Sequence, residues 1–210
     1  VQLIAGLSNL EYRGYDSAGI SLLNQDHIYT VRAQGRLQKM VDRYQEEGEW
    51  AATCGIGHTR WATHGKPSDD NAHPHSTEAL SVVHNGIIEN YQQIKLFLSS
   101  KGYSFTSQTD TETACKLLDF HYKQEREPLA AIRRTLDQLD GSYAFAILFK
   151  DCPDKIYATR KDSPLIVGLG NGENYVASDV PAILAQTRDY YLMGVGGVAV
   201  VCPGRVDVWA

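Results

Sequence analysis

Arg60 in HTRWATHG (residues 58–65) and Asp110 in TDTE (residues 109–112) could bind opposite charges of a single ligand. An arginine guanidinium offers a rigid fork of N–H donors that suits a carboxylate, and an aspartate can accept an ammonium group. Thr63 and His64 add neutral donors and acceptors beside the arginine. The pair could therefore recognise a free amino acid, although a solvated loop arginine and a helix-capping aspartate are the plainer interpretations of each residue alone.

The segment VVHNGIIEN (residues 82–90) places Asn85 and Gly86 between two short apolar runs. Asn-Gly is a strong signal for a two-residue hairpin turn, because both residues tolerate positive φ angles. A side-chain amide followed by an unhindered backbone N–H also suits an oxyanion that develops during acyl transfer. The local sequence leaves both interpretations open.

Other reactive side chains surround the first segment. Four of the seven histidines lie in or beside it, at His58, His64, His73 and His75. Their spacing matches no zinc-ligand pattern, so we expect no metal site. Trp61 suits either a loop anchor or a lid over a ligand. Cys54 falls in a predicted strand, where a buried, inert thiol is the ordinary role, and we do not expect it to be the nucleophile.

Composition limits the kind of protein. A chain of 210 residues with 43% hydrophobic content fits one large domain. Its net charge of −5, with dispersed Lys and Arg, offers no footprint for nucleic acid. The four cysteines form no CxxC pair, which indicates free thiols in the cytoplasm. The longest apolar run, YAFAILF (residues 143–149), is too short to cross a membrane.

Periodicity predicts helices and strands that would position these residues. A first helix follows the spacing of Val1, Ile4, Leu7 and Leu10, and further helices are expected from Leu37, over 90–101, from Thr109, and from Pro128 to Gly141. Thr109 and Glu112 have the spacing of a capping box. Strands are predicted at 18–24, 27–33, 53–58, 81–84, 143–149, 155–160, 164–169, 174–178, 190–193, 197–202 and 205–209, with a loop over 59–78 and a short helix after Asp179. Short connections favour antiparallel pairing, so the class is α+β.

A family resemblance covers nearly the whole chain. In order, the segments LEYRGYDSAG (10–19), HTRWATHG, NAHPH (71–75), VVHNGIIEN, TDTE, SPLIVGLG (163–170) and ENYVASD (173–179) closely resemble the glutaminase domain of the glucosamine-6-phosphate synthase family. These class II glutamine amidotransferases are N-terminal nucleophile hydrolases. The resemblance implies a four-layer αββα sandwich of largely antiparallel sheets and hydrolysis of L-glutamine without a cofactor.

The resemblance also implies roles for particular residues. Arg60 would bind the glutamine α-carboxylate and Asp110 the α-ammonium, while Trp61, Thr63 and His64 belong to the loop that closes over the substrate. Asn85 and Gly86 would form the oxyanion hole, and Arg13 and Gly14 would line the position of the nucleophile. In this family the nucleophile is the N-terminal cysteine of the mature chain, about two dozen residues ahead of EYRGYDSAG, and its own α-amine is the base.

Here only nine residues precede Leu10, and none is a cysteine. We therefore expect a glutaminase domain truncated at its N-terminus, without its first strand and without its isomerase partner, and inactive as a fragment. In the full-length enzyme, expected to be a homo-oligomer, a fused isomerase half would use the ammonia to make glucosamine-6-phosphate from fructose-6-phosphate. The alternatives are the glutaminase half of an amidophosphoribosyltransferase and a catalytically inert glutamine-binding module.

Overall fold

The computed structural model describes residues 2–48 and 50–210. Val1, which the sequence places on the first helix, lies outside the described residues. The described helices are α1 (Gln2–Ser8), α2 (Leu37–Glu46), α3 (Tyr91–Ser100), α4 (Asp110–Glu125) and α5 (Pro128–Leu136). Two 3₁₀ turns cover Glu11–Arg13 and Val180–Ala182.

The strands follow the predicted order closely, with a hairpin of β1 and β2 near the start. Their bounds are β1 (Ser17–Asn24), β2 (His27–Gln34), β3 (Cys54–Arg60), β4 (His75–Ser76), β5 (Leu80–Ile88), β6 (Gly141–Phe149), β7 (Ile156–Lys161), β8 (Ile166–Leu169), β9 (Asn174–Ala177), β10 (Asp189–Leu192), β11 (Val198–Cys202) and β12 (Arg205–Trp209). They form three sheets, in the orders β2-β1-β3, β10-β8-β9 and β12-β11-β7-β6-β5-β4. All the paired strands are antiparallel, as expected.

Four layers of secondary structure enclose the apolar core. Helices α3, α4 and α5 cover one face of the six-stranded sheet, where Leu98, Leu117 and Ile132 are buried. The other face packs against both three-stranded sheets, through one cluster around Ile56 and another around Val167. Helices α1 and α2 cover the β2-β1-β3 sheet from outside. The αββα sandwich is therefore confirmed, and burial of these apolar faces supplies most of its stability.

Of the two interpretations of Asn85–Gly86, the hairpin turn is wrong. Strand β5 continues straight through this pair and is aligned with β6, with Asn85 opposite Ala144 and Gly86 opposite Tyr143. Both apolar runs beside the pair thus belong to one strand. Gly86 adopts φ +130, and a Cβ there would lie 2.2 Å from the Ser142 carbonyl oxygen, so this position requires glycine without any turn.

Smaller differences concern element ends. The predicted loop over 59–78 is shorter, because β3 extends to Arg60 and β4 pairs with β5 at His75–Ser76. Helix α5 ends at Leu136 rather than Gly141, which instead begins β6. Across residues 2–48 and 50–210, no helix has both the length and the apolar character of a membrane span.

Candidate active site

A cavity of about 980 Å³ opens between the sheets and is lined by the residues that the sequence singled out. Arg60 comes from the end of β3, Asp110 from the first turn of α4, and Asn85 and Gly86 from β5. These elements are distant in the chain, and only the packing of the sheet layers brings them to one cavity. The arrangement is large enough for an amino acid together with further protein groups.

Arg60 presents a buried charge with one nitrogen unused. Its Nη2 atom donates to the carbonyl oxygens of His64 and Gly65, at 3.0 Å from the latter. Its Nη1 atom lies 3.8 Å from Asp16 Oδ1 and donates no hydrogen bond to any described residue. Burial lowers the pKa of Arg60, yet a guanidinium stays protonated in proteins. An unpaired buried N–H on a cation favours an anionic ligand here.

Two backbone N–H groups fix the Asp110 carboxylate, which can still accept a further hydrogen bond. Its Oδ2 accepts from the Ile88 N–H at 2.8 Å, and its Oδ1 accepts from the Thr111 N–H at 3.0 Å. The side chain is only 5% exposed, and His84 Nδ1 lies 4.0 Å from Oδ2. A carboxylate has about four acceptor positions, so each oxygen can still accept from an ammonium group.

The cap of α4 explains how Asp110 is presented. Thr109 is the N-cap, and its Oγ1 accepts from the Glu112 N–H at 3.2 Å. The reciprocal half of the predicted capping box is wrong, because the Glu112 carboxylate accepts from the N–H groups of Thr106 and Ser107 instead. Thr109 therefore caps the helix. The Asp110 carboxylate contacts β5 through the Ile88 N–H and lines the cavity.

Asn85 is oriented by a single strong contact. Its Oδ1 lies 2.8 Å from His58 Nε2, and its Nδ2 donates no hydrogen bond to the residues that the structure describes. Gly86 lines the cavity beside it. A free amide donor and a glycine backbone at one cavity wall could face a carbonyl oxygen whose charge rises during reaction.

The loop after β3 is tied to Arg60. The His64 and Gly65 carbonyls accept from its guanidinium, and Thr63 and His64 line the cavity. Trp61 also lines the cavity but is 62% exposed, with its ring edge-on to Tyr15 at 5.7 Å. An aromatic side chain this exposed at a cavity rim is suited to cover a ligand.

Of the two residues expected beside the nucleophile, Arg13 lines the cavity and Gly14 lies behind its wall. Arg13 lines the cavity and its Nη1 lies 3.2 Å from Asp179 Oδ2, which also accepts from the Tyr12 hydroxyl at 2.8 Å. The Tyr12 hydrogen bond is the main cause of a lowered pKa at Asp179. Gly14 does not line the cavity; a Cβ there would lie 2.8 Å from the Thr59 carbonyl oxygen, so it permits close packing behind the wall.

A family model described as a glutamine amidotransferase domain matches residues 58–185, more than half of the chain. The chain belongs to this amidotransferase family. Its matched segment contains Arg60, Asn85, Gly86 and Asp110. These four cavity residues therefore lie in the part of the chain that the family model matches.

Curated relatives of this amidotransferase domain include two that carry the same name, glutamine–fructose-6-phosphate aminotransferase [isomerizing]. One from Caldanaerobacter subterraneus subsp. tengcongensis is 50% identical over 98% of this chain and 34% of its own length. One from Clostridium acetobutylicum is 54% identical over 90% of this chain and 31% of its own length. The chain therefore spans about a third of these relatives.

Solved structures confirm the fold of the amidotransferase domain. A glutamine phosphoribosylpyrophosphate amidotransferase from B. subtilis, complexed with ADP and GMP, superimposes with a TM-score of 0.80. It is 25% identical and covers 99% of this chain, which covers 46% of that one. A structure described as the allosteric regulatory enzyme of purine biosynthesis gives a TM-score of 0.82, also at 25% identity, over 99% of this chain and 45% of that one. The N-terminal nucleophile hydrolase fold expected from the sequence is thus shown.

The histidines of the domain form a neutral stack at the cavity. The rings of His58 and His73 lie 4.3 Å apart and nearly parallel, and His73 and His75 lie 5.2 Å apart. Burial lowers the pKa of His58 to about 4 and that of His75 to about 3. Among the described residues no group of three or more His, Cys, Asp or Glu side chains could hold a metal ion. His58 instead contacts Asn85.

Cys54 lines the cavity but lacks the features of a nucleophile. Burial raises the pKa of its thiol to about 12, which disfavours the reactive thiolate. Its Sγ donates to the Lys155 carbonyl oxygen at 3.8 Å. Cys115 is buried on α4 and donates to the His75 carbonyl oxygen at 3.4 Å. Among the described residues, the hydrogen-bond partner of each of these thiols is a backbone carbonyl rather than a base.

Sequence reasoning missed three side chains that hold the predicted ones. Asp16 faces Arg60, His58 contacts Asn85, and Asp179 binds Arg13. Asp16 and Asp179 lie within the motifs YDSAG and ENYVASD, which carry the resemblance, but their partners are far away in the chain. From the sequence alone, His58 is considered only as a possible metal ligand, because nothing in its distance along the chain from Asn85 indicates a contact between the two.

Proposed function

We propose that this domain hydrolyses L-glutamine to glutamate and ammonia. The observation that carries the proposal is one cavity lined by an arginine whose buried Nη1 donates no hydrogen bond to a described residue, a backbone-held aspartate, and an asparagine amide whose nitrogen likewise donates none. Arg60 would bind the α-carboxylate, Asp110 the α-ammonium, and Asn85 with Gly86 the oxygen of the side-chain amide.

The chemistry requires a nucleophile, and the buried thiols of Cys54 and Cys115, with their raised pKa values, do not suit that role. A thiolate attacks the amide carbon, charge develops on the oxygen facing Asn85, and the C–N bond breaks with release of ammonia. Water then hydrolyses the thioester, which releases glutamate and restores the thiol. We propose that an N-terminal cysteine of the full-length protein acts here, with its α-amine as base, as the family resemblance implies.

Two free strand edges indicate where the N-terminal segment with the cysteine could pair with the sheets. Among the described strands, β3 and β9 each pair on one side only, at the edges of the two three-stranded sheets. Residues of both strands line the cavity. Unpaired strand edges are suited to accept a further strand, which could carry the nucleophile into the cavity beside Arg13.

In the full-length protein we propose that the ammonia passes to a sugar-phosphate isomerase half that makes glucosamine-6-phosphate from fructose-6-phosphate. Relatives with this activity in their names are 50% and 54% identical, whereas the phosphoribosylpyrophosphate amidotransferase is 25% identical. The identities favour the sugar-phosphate acceptor. We further propose a cytoplasmic homo-oligomer without a cofactor; the free thiols of all four cysteines support that compartment.

The test measures glutamate release by the full-length protein, by its Asn85→Ala variant and by the 210-residue chain. Loss of one oxyanion donor costs about 3 to 4 kcal/mol, so we expect kcat of Asn85→Ala to fall by about two to three orders of magnitude. The 210-residue chain should be inactive. Equal activity of that chain would assign the nucleophile to Cys54, and an unchanged kcat in Asn85→Ala would remove the proposed oxyanion role.

A second candidate is a domain that binds glutamine without turnover. The raised pKa values of the buried Cys54 and Cys115 thiols, which disfavour their thiolates, favour it. Calorimetry with L-glutamine separates the two: binding by a full-length protein that releases no glutamate would establish the inert module.

A further inference from the structure

His58 holds Asn85 through one ring nitrogen and has no partner at the other. Nε2 lies 2.8 Å from Asn85 Oδ1. Nδ1 is shielded from solvent and has no hydrogen-bond partner among the described residues. The His84 backbone lies close enough to the ring to raise its pKa, but a hydrogen on Nδ1 would make no hydrogen bond of ordinary geometry. A hydrogen on Nε2 instead has Asn85 Oδ1 as its acceptor at 2.8 Å. The neutral ring accordingly carries its hydrogen on Nε2.

This tautomer determines which way the Asn85 amide faces. A hydrogen on Nε2 requires an acceptor, so the Asn85 oxygen points to His58 and the amino group points away from it. The opposite orientation would place two donors against each other. Burial holds the pKa of His58 at about 4, so the ring remains neutral throughout the physiological range. The Asn85 amino group is thus available at the cavity wall.

Neighbouring rings hold His58 in place. His73 stacks on it at 4.3 Å with an interplanar angle of 24°. His73 in turn contacts His75, whose Nε2 lies 2.8 Å from Thr109 Oγ1 at the cap of α4. The stack therefore runs from the Asn85 side of the cavity to the residue beside Asp110. A ring fixed in this way cannot turn its Nε2 away from Asn85 without disturbing the stack.

We propose that His58 is a positioning residue for glutamine hydrolysis, which directs the Asn85 amino group at the developing oxyanion. The inference rests on the proposed function. His58 lines the cavity, but its polar contact is with Asn85, through which it would act. Its loss should therefore slow turnover without weakening amino-acid binding by Arg60 and Asp110.

The experiment compares His58→Ala, His58→Gln and His58→Asn in the full-length protein. A glutamine side chain places an N–H near the position of Nε2, whereas asparagine reaches only as far as Nδ1. We expect kcat to fall about 10- to 100-fold in His58→Ala and His58→Asn, which is less than the loss expected when Asn85→Ala removes the amide donor itself. His58→Gln should retain at least about a third of kcat. In all three variants KM and the Kd of L-glutamate should stay within about threefold.

A double-mutant cycle separates positioning from a general loss of structure. Once Asn85→Ala has removed the amide, adding His58→Ala should change kcat less than about threefold. The matched control is His121→Ala, because His121 is a buried histidine on α4 that contacts Gln138 and does not line the cavity. It should leave kcat unchanged.

Each alternative outcome contradicts a distinct part of the account. Independent, multiplying losses in the cycle would refute the positioning role, as would equal kcat in the Gln and Asn variants. A normal kcat in His58→Ala together with a low kcat in Asn85→Ala would also refute it while leaving the proposed function intact. Normal turnover in Asn85→Ala would instead overturn the oxyanion role on which the inference rests.

Discussion

Replacing Arg60 with lysine tests how the site binds its substrate. The guanidinium can do two things at once: Nη2 donates to the carbonyls of His64 and Gly65, and Nη1, which lies 3.8 Å from Asp16 Oδ1, donates no hydrogen bond to a described residue. Lysine keeps the charge but has a single nitrogen, so it cannot hold the loop and bind a carboxylate in the same way. The variant therefore loses either the ligand contact or the closed loop.

The magnitude follows from the lost contact. A hydrogen bond between charged groups contributes about 1.5 to 3 kcal/mol, and about 1.4 kcal/mol corresponds to a factor of ten. We expect KM for L-glutamine to rise about 10- to 100-fold in Arg60→Lys. Because the carboxylate contact is made equally in the ground state and the transition state, kcat should change little.

The assay measures glutamate release by the full-length enzyme over a range of glutamine concentrations, with L-glutamate binding followed by calorimetry. Arg43→Lys is the matched control, since Arg43 pairs with Asp69 on the surface at 3.0 Å and does not line the cavity. A KM equal to wild type in Arg60→Lys, or a rise of the same size in Arg43→Lys, would refute the assignment of Arg60 to the substrate carboxylate.

Three further predictions test other parts of the site. Asp110→Asn should abolish the preference for glutamine over glutaramate, which lacks the amino group, because the ammonium loses its counterion; an undiminished preference in competition kinetics would contradict this. Cys54→Ala should leave kcat unchanged, since burial raises the pKa of this thiol to about 12, and a tenfold loss of turnover would reinstate it as the nucleophile. Lowered pKa values at His58 (about 4) and His75 (about 3) mean that the unfolded state takes up protons first below about pH 6.5, so each of the two should lower the free energy of unfolding by about 1 kcal/mol per pH unit on average between pH 6.5 and 5. His73, His84 and His121, whose pKa values burial also lowers, add to the fall in the same direction. In urea titrations at both pH values this window isolates the histidines, because the lowered pKa of Glu112, about 2, matters only below its unfolded value near 4.5; equal stability at pH 6.5 and 5 would be incompatible with a buried neutral stack.

Features set by neighbouring residues were predictable from the sequence. The β1–β2 hairpin follows from β-rich runs around a short polar turn, and α4 begins as predicted because Thr109 caps its first turn. The antiparallel sheets followed from connections too short for crossover helices. Such signals lie within a few residues of the elements they specify, which is why they could be recognised.

Features set by distant partners were not predictable. Asn85–Gly86 has the local sequence of a turn, but pairing along the whole of β5 with β6 keeps it extended. His58 contacts Asn85 across 27 positions of sequence, and no spacing rule predicts that contact. That Arg60 and Asp110 face one cavity was an implication of the family resemblance, since the residues alone could not fix how the sheet layers pack.

A crystal structure of the full-length protein with L-glutamate bound would test the central claim most directly. We predict the α-carboxylate within hydrogen-bond distance of Arg60 Nη1, the ammonium at the Asp110 carboxylate, and a side-chain oxygen at Asn85 Nδ2. Glutamate bound in the reverse direction, or in another cavity, would contradict the assignment of these three residues to one substrate.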